Sequence, residues 1–478
     1  MKKTVSLLLL GGSLAAIAPF AGAAPATPPP NIVVLFADDL GWKDVGLNGA
    51  TFYETPNIDR LAREGLVFSN AYSGGSNCAP SRAALWSGQY APRTGVHAVG
   101  TMDRPPHHLQ RLVPLVNRET LPAESVTLAE ALRAGGYRTG LFGKWHLGAE
   151  APFRPEDQGF DAYFDPRAVD PNRERNEPDN PKGIYTTTRA ALKFIEQDRE
   201  RPFFVFLSYH AIHSVLEYRP ATLERFKDKE RTDPGQTLDR YAASIYDLDD
   251  VVGIVLARLE ALGLAENTLV IFTSDNGATR NSAQEPLRGN KGSFYEGGVR
   301  VPFIVRWPGR TTAGTESSVP IINLDLYPTF LAATGVPEPK EYALDGENLL
   351  PLFGNPAQTL KREAIFWHFP GYLHTPVFRG RDQIFRTRPV SVVRQGDWKL
   401  HLYHEEWVLD GGRAQLDANR AVELYNLAKD PGERVDLATT ETAKRDELLN
   451  VLFRWMNETS AKMPWAPNPN YDPTQSSQ

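Results

Sequence analysis

Long apolar runs recur along the chain and stop at polar residues. Such runs lie at 32–37, 201–209 and 267–274, and their continuity predicts strands buried on both faces, as in a parallel sheet. Another strand is predicted at 301–307. Helical patterns lie between these runs, at 55–68, 126–134, 186–199, 238–262 and 321–334. Strands that alternate with helices are typical of an α/β fold.

The chain changes character after about residue 351. Tyrosine and tryptophan become frequent, and short strands are predicted at 364–368, 390–394 and 398–403, followed by a closing helix at 436–459. A chain of 478 residues is too long for one simple core. We therefore expect one large domain and one smaller one.

Two of the predicted strands end in oxygen-bearing side chains. Asp38 and Asp39 follow the first apolar run, and Asp275 and Asn276 follow the run at 267–274. Ligands bind beyond the carboxyl ends of parallel strands, and adjacent carboxylates repel each other unless a cation or proton lies between them. Oxygen ligands favour Ca²⁺ or Mg²⁺. Each pair is alternatively a helix cap or a turn, but two such endings favour a shared cation.

Proton-handling groups follow two further segments. Lys144 and His146 come after 136–143, and in an extended chain they point to the same side. His210 and His213 follow the phenylalanine-rich run. If all these strands are parallel, their polar ends gather at one edge of the sheet. A surface lysine and core histidines are the alternative interpretation.

The only cysteine, Cys78, lies between a glycine-serine loop and a predicted helix. Pro80 suits the first turn of that helix. Cys78 is therefore expected just ahead of a helix N-terminus, where free amides and the helix dipole favour an anion. Arg82 adds a cation one turn further on. The stretch predicts an anion site with a reactive group, and a buried structural cysteine is the alternative.

A glycine-rich segment at 288–300 carries Lys291 and Arg300. Glycine lets the backbone approach a ligand closely, and basic side chains suit an oxyanion. A flexible basic loop is the alternative.

Three of these motifs together resemble the type I, formylglycine-dependent sulfatases of the alkaline phosphatase superfamily. They are C-x-P-S-R at 78–82, G-Y-x-T-G-x-x-G-K-W-H-L-G at 136–148 and R-G-x-K-x-x-x-x-E-G-G at 288–298. The resemblance implies an alkaline-phosphatase-like α/β fold: a large, mostly parallel central sheet flanked by helices, plus a smaller C-terminal subdomain with an antiparallel sheet. It places the catalytic domain at 30–365 and the subdomain at 366–465.

The resemblance also implies two chemical groups. Cys78 would be converted after translation to formylglycine, an aldehyde whose hydrate is the nucleophile of the family. Matching positions in the family hold calcium, and Mg²⁺ is the second choice. The implied metal ligands are Asp38, Asp39, Asp275, Asn276 and an oxygen of the modified Cys78.

Roles for the basic side chains follow from the same resemblance. The sulfate oxygens would be neutralised by Arg82, Lys144 and Lys291. His213, together with Lys291, would protonate the departing alcohol. His146 would remove the proton that lets the aldehyde re-form and expel sulfate.

Residues 1–24 have the pattern of a signal peptide. Lys2 and Lys3 precede an apolar stretch and an A-x-A site that ends at Ala23. The apolar stretch is short and interrupted by glycine, which argues against a membrane anchor. We therefore expect an exported protein, periplasmic or secreted, without an anchor in its mature form. The resemblance adds a formylglycine-generating maturation enzyme as a partner.

Composition narrows the class of protein and the partners it can have. The apolar fraction of 41% and the charged fraction of 23% are typical of a globular protein. A net charge of −6 argues against nucleic acid as a partner. A single cysteine excludes an internal disulfide.

The expected substrate is a sulfated saccharide or a smaller sulfated molecule such as an aryl sulfate. Candidates for the substrate rim, chosen because they lie near the motifs, are His97, His210, Arg300, Trp367 and His368. Two other functions stay open. One is a phosphonate monoester or phosphodiester hydrolase of the same superfamily, against which Lys144, His146 and His213 favour the sulfatase. The other is a catalytically silent, exported glycan-binding protein.

Overall fold

The computed structural model of the protein describes residues 28–169 and 177–475, so the predicted signal peptide lies outside the described residues. The strands, in chain order, are β1 Asn31–Ala37, β2 Leu66–Phe68, β3 Ala71–Tyr72, β4 Arg138–Gly143, β5 Ala162–Phe164, β6 Phe203–Ser208, β7 Thr268–Ser274, β8 Phe303–Arg306, β9 Thr315–Ser317, β10 Ile321–Ile322, β11 Ile365–Phe369, β12 Leu373–His374, β13 Phe385–Thr387, β14 Val390–Gln395, β15 Trp398–Tyr403 and β16 Val422–Asn426.

The α-helices lie between and after these strands. They are α1 Pro56–Glu64, α2 Cys78–Ser87, α3 Ala91–Thr94, α4 Leu128–Ala134, α5 Pro166–Val169, α6 Ile184–Gln197, α7 Pro220–Lys227, α8 Asp239–Ala261, α9 Glu296–Val299, α10 Leu326–Thr334, α11 Leu350–Gly354, α12 His404–Leu409 and α13 Thr442–Glu458.

An eight-stranded central sheet has the order β5-β4-β6-β1-β7-β8-β2-β9. The five strands from β5 to β7 run parallel, and β8 is antiparallel to both of its neighbours. Apolar side chains pack against both faces of this sheet, in two separate clusters. Burial on both faces explains the unbroken apolar runs. The expected fold class, a mostly parallel sheet flanked by helices, is confirmed.

The register of the parallel strands brings their carboxyl ends level. Ala37 of β1 is opposite Ser274 of β7, and Phe36 is opposite Ser208 of β6. Ser208 is in turn opposite Gly143 of β4. The residues that follow all four strands therefore start from one edge of the sheet.

A second, smaller sheet lies in the C-terminal part of the chain. Strands β11, β14, β15 and β16 are antiparallel neighbours, and α13 packs against them in a third apolar cluster. The small antiparallel sheet expected after the central one is therefore present. Among the described residues, no helix is long and apolar enough to cross a bilayer.

Two of the predicted helical segments each contain a strand. The segment 55–68 divides into α1 and β2, because α1 ends at Gly65. The backbone of β8 lies so close that a Cβ atom on Gly65 would be 2.4 Å from the Val305 carbonyl oxygen. The segment 321–334 likewise begins as strand β10 before α10. In both cases pairing with a distant strand replaces the first or last helical turn.

Candidate active site

Oxygen-bearing side chains from β1 and β7 meet at the sheet edge. The Asp39 amide donates to Asp275 Oδ1 at 3.0 Å, and Asn276 Nδ2 donates to Asp39 Oδ1 at 2.8 Å. Ligand atoms of Asp38, Asp39, Cys78 and Asp275 all lie within 4.8 Å of one another. Asp39 has a φ of 69°, in the left-handed region that aspartate tolerates better than most residues. The sequence-predicted cation ligands are thus brought together.

The donor set fits a hard divalent cation. Asp39 Oδ2 and Asn276 Oδ1 are buried, and neither accepts a hydrogen bond from the protein. A buried acceptor without a partner is costly unless something else satisfies it. Carboxylate and amide oxygens are what Ca²⁺ and Mg²⁺ prefer. These residues therefore match the chemistry of such an ion.

Cys78 is the first residue of α2, not the residue ahead of it, and its side chain is buried with 1% exposure. Its Sγ atom lies 3.4 Å from Asp38 Oδ1 and 3.1 Å from Lys291 Nζ. Burial, and then the charge of Asp275, raise the pKa of this thiol to about 12. The thiol is therefore protonated at neutral pH and is not an activated nucleophile.

Three buried or nearly buried cations surround the carboxylates. Lys144 Nζ lies 2.6 Å from Asp38 Oδ2, and Lys291 Nζ lies 2.5 Å from Asp39 Oδ1. Arg82 contacts Asp275 Oδ2 at 3.0 Å and donates to the Lys144 carbonyl at 2.9 Å. Arg82 also donates at 2.6 Å to Ser208 Oγ, at the end of β6. Ser208 was not predicted, although the same strand-end pattern contains it.

These charges act on one another through a buried environment. Burial works to raise the pKa of Asp38, but Lys144, Arg82 and Lys291 hold it well below its usual range. Burial, and then repulsion from Asp38, raise the pKa of Asp275 to about 7. For both lysines, burial works to lower the pKa, and the carboxylates outweigh it. Of Asp38 and Asp275, Asp38 is therefore the carboxylate whose negative charge the surrounding cations stabilise more.

His146 is near the site, but not for the reason that the sequence suggested. Its φ is 72°, so the backbone is not extended there and the same-side argument does not apply. Burial, followed by the charges of Lys144 and Arg82, lowers the pKa of His146 to about 3. The imidazole is therefore neutral at neutral pH, and the neighbouring cations oppose its protonation.

His213 and His210 have different surroundings. His213 Nε2 lies 3.8 Å from Asp39 Oδ2, and His213 Nδ1 lies 2.6 Å from the Ser214 carbonyl oxygen. His210 instead pairs with Asp165 at 2.9 Å. His213 is thus the histidine of this segment that faces the metal ligands.

The remaining rim candidates are engaged in contacts within the protein. Trp367 and His368 are buried on β11, where the Trp367 indole donates to the Ser73 carbonyl and His368 contacts Ser391. The His97 ring packs on His368, with 5.6 Å between ring centroids. Arg300 donates to the carbonyl of Ser69. Proximity to a motif along the chain did not bring these side chains to the site, because Trp367 and His368 belong to the C-terminal sheet and His97 packs against it. Arg300 instead stacks on Trp42.

A family model described as Sulfatase matches residues 30–336. The chain belongs to the sulfatase family. A second model, N-sulphoglucosamine sulphohydrolase, C-terminal, matches residues 290–462. The protein is therefore a sulfuric ester hydrolase by family, and the resemblance seen in its motifs is confirmed.

Individual relatives span nearly the whole sulfatase chain. A sulfatase of Formosa agariphila is 32% identical over 92% of this chain and 91% of its own. Arylsulfatase A of Homo sapiens is 34% identical over 89% of this chain and 86% of its own. Among solved structures, the crystal structure of Ps i-CgsB has a TM-score of 0.70 at 28% identity, covering 94% of this chain and 96% of that one.

Proposed function

We propose that this sulfatase is exported and removes sulfate from sulfated saccharides, with a nucleophile made from Cys78. The observation that carries the proposal is the position of Cys78, whose Sγ lies 3.4 Å from Asp38 and 3.1 Å from Lys291. Cys78 thus lies next to one of the residues that would hold the cation and next to one of the lysines that would bind sulfate. Export rests on the signal-peptide pattern of residues 1–24.

Two groups would complete the site. The metal ligands would hold a divalent cation, Ca²⁺ before Mg²⁺, whose charge would offset that of the sulfate; they are Asp38, Asp39, Asp275 and Asn276. Oxidation of Cys78 to formylglycine would supply a hydrated aldehyde, and one hydroxyl of that hydrate would attack sulfur while the other provides the route for sulfate release.

The protein's own cations would bind the sulfate oxygens. Lys144 and Lys291 both hold their ammonium groups next to a carboxylate, so their charges are fixed before substrate arrives. Arg82 is held by Asp275 and Ser208. Donors fixed in a site that excludes water stabilise developing negative charge more strongly than donors in water. The negative charge that develops as the alcohol departs would therefore be stabilised by cations that do not have to reorient.

The two histidines would handle the protons. The Ser214 carbonyl can only accept, so His213 Nδ1 donates to it and His213 Nε2 is the atom that exchanges a proton. From Nε2 a proton would pass to the departing alcohol oxygen. Neutral His146 would take the proton from the second hydroxyl at position 78.

Support for a saccharide comes from relatives. N-acetylgalactosamine-6-sulfatase of Homo sapiens is 30% identical over 94% of this chain. A structure of Ps i-CgsB, 27% identical, is a complex with k-i-k-neocarrahexaose.

A side-by-side assay tests the proposal. Enzyme whose formylglycine content has been verified by peptide mass spectrometry is given defined sulfated saccharides, 4-nitrocatechol sulfate and an aryl phosphonate. We expect inorganic sulfate release, fastest from a saccharide. Faster phosphonate cleavage would favour the other branch of the superfamily. Saccharide binding without any turnover would identify a binding protein.

A further inference from the structure

A cavity of about 240 Å³ opens beside the catalytic lysine candidate. Its lining includes Ser214, Arg280, Lys291 and Arg386. Lys291 belongs both to this cavity and to the site, because its ammonium group lies 3.1 Å from Cys78 Sγ. A substrate whose sulfate reaches position 78 therefore has part of its body at or near this cavity.

Arg386 is built into the wall of the cavity. It lies on β13, and its guanidinium donates to the Lys291 carbonyl at 3.3 Å. Its side chain crosses directly over Gly292, where a Cβ atom would lie 2.2 Å from Arg386 Cδ. Gly292 also has a φ of 88°, in the left-handed region. Glycine therefore suits this position because a Cβ atom would clash with Arg386 and because glycine adopts this backbone conformation without strain. The loop that carries Lys291 is thus shaped to accommodate the arginine.

Two more arginines act on Arg386. Burial lowers the pKa of Arg386, and the charges of Arg280 and Arg104 lower it further. The pKa of His374, which is largely exposed, is lowered first by partial burial and then by the charges of Arg104 and Arg386. We call Arg280 and Arg386, which both line the cavity, the arginine pocket; Arg104 acts on it from outside the lining.

No ion pair neutralises the positive charge of the arginine pocket or of Arg104 in the part of the chain that the structure describes. The hydrogen bonds of these three guanidinium groups go to backbone carbonyls: Arg104 to those of Val99 and Thr101, Arg280 to that of Pro376, and Arg386 to those of Lys291 and Thr375. Within 28–169 and 177–475, no carboxylate forms an ion pair with any of the three. The whole chain has a net charge of −6, so a general excess of basic residues does not explain the cluster.

We propose that the arginine pocket binds a second anionic group, a sulfate ester or a carboxylate, on the same saccharide whose sulfate reaches Cys78. Guanidinium groups bind such planar or tetrahedral oxyanions with paired hydrogen bonds. The proposal rests on the proposed function and narrows the substrate class to saccharides with at least two anionic groups. It also assigns Arg280 and Arg386 a role in specificity.

Binding to the Cys78→Ala protein tests the arginine pocket without turnover. The probes are two pairs that differ by one anionic group, measured by calorimetry. One pair is N-acetylglucosamine 6-sulfate and glucosamine 2-N,6-O-disulfate. The other is N-acetylgalactosamine 6-sulfate and its disaccharide with an uronic acid. We expect the more charged member of at least one pair to bind about tenfold tighter, and the pair that responds distinguishes sulfate from carboxylate.

Variants in the Cys78→Ala background locate the effect. Arg386→Gln and Arg280→Gln should each reduce the preference within the responding pair several-fold, and Arg386→Lys should restore part of it. Arg133→Gln is the matched control, because Arg133 is exposed on α4 and its loss changes the net charge equally. That control should keep the wild-type preference.

The outcomes separate this proposal from the proposed function. Equal affinity within both pairs, or a preference that survives both pocket variants, would overturn the arginine pocket even if matured wild-type enzyme releases sulfate. A preference that depends on Arg386, in a protein whose matured form hydrolyses no sulfate ester, would keep the pocket and overturn the sulfatase assignment of the site.

Discussion

Lys291 and Cys78 are 213 residues apart in the chain, yet Lys291 Nζ lies 3.1 Å from Cys78 Sγ. The contact joins the start of α2 to the glycine-rich loop ahead of α9. The end of that loop is anchored to the C-terminal part of the chain, because the amide of Glu296, the first residue of α9, donates to Glu433 Oε2 at 2.7 Å. The site therefore depends on both the central sheet and the C-terminal sheet.

Replacing Cys78 should abolish turnover. Alanine carries no group that can be oxidised to the aldehyde, and an unoxidised serine carries only one hydroxyl, so we expect kcat to fall at least about 10³-fold in Cys78→Ala and Cys78→Ser. In the serine variant a sulfo-enzyme should accumulate, because a single hydroxyl offers no route for its release. Mass spectrometry of the wild-type peptide should show about 18 Da less than cysteine. Turnover close to wild type in either variant would remove formylglycine from the mechanism.

The active, matured protein should contain one divalent cation per chain. Elemental analysis should find it in wild type and lose it in Asp39→Asn, since Asp39 Oδ2 is buried and accepts no hydrogen bond from the protein. Saturating Ca²⁺ should raise the free energy of unfolding, by about 2.7 kcal/mol at 100 times Kd. Asp103→Asn, which changes an exposed carboxylate, is the control and should keep the cation. A cation-free wild-type enzyme with full activity would exclude the metal site.

Removing Lys399 should destabilise the protein strongly. Lys399 is fully buried, and its ammonium group contacts Glu296 at 2.9 Å and Glu433 at 3.1 Å. Lys399→Met removes the one ammonium group that both buried carboxylates share, and breaking a buried ion pair typically costs about 3–5 kcal/mol. Urea unfolding measures this, with the exposed Lys429→Met as the control, expected within about 0.5 kcal/mol of wild type. A loss below 1 kcal/mol for Lys399→Met would mean that the network is not coupled as the contacts indicate.

His404 should make the fold sensitive to acid. Its Nε2 lies 2.9 Å from Ser391 Oγ, its Nδ1 has no partner, and burial lowers its pKa from 6.5 to about 3. Because the folded pKa is depressed, this stability is present above the unfolded pKa and is lost as pH falls below it. Between about pH 7.5 and pH 5 the loss from this histidine is about 2 kcal/mol.

The contribution of His404 can be isolated by measuring the unfolding free energy of a variant at a series of pH values. His404→Gln keeps a group that can bond Ser391 but does not titrate, so its loss of unfolding free energy over the same interval should be smaller by that amount. His107→Gln, at an exposed histidine, should show the wild-type dependence. An unchanged slope in His404→Gln would show that His404 does not control acid stability.

The sequence was most informative where the apolar runs were unbroken. The predictions at 32–37 and 267–274 match β1 and β7 within one residue. A strand that is buried on both faces is apolar along its length, so the first polar residue marks where it ends. Knowing where parallel strands end was enough to expect Asp38 beside Asp275. The same argument could have found Ser208, which terminates β6 and holds Arg82.

Features that depend on distant partners could not be predicted in this way. Gly65 ends α1 because the backbone of β8 passes behind it, and nothing within 55–68 indicates that contact. Arg104, Arg280 and Arg386 share no motif and come from three separate loops or strands. Trp367 and His368 were expected at the substrate rim because they lie near the motifs in the sequence, but both are buried where β11 packs.

The position of β1 has a consequence for how the chain acquires its structure during synthesis. β1 is one of the first segments to emerge, yet its two neighbours are residues 203–208 and 268–274. The middle of the sheet therefore cannot close until more than half of the polypeptide has been made, a high contact order that favours slow folding. N-terminal fragments that end before β7 should expose an apolar strand edge and aggregate.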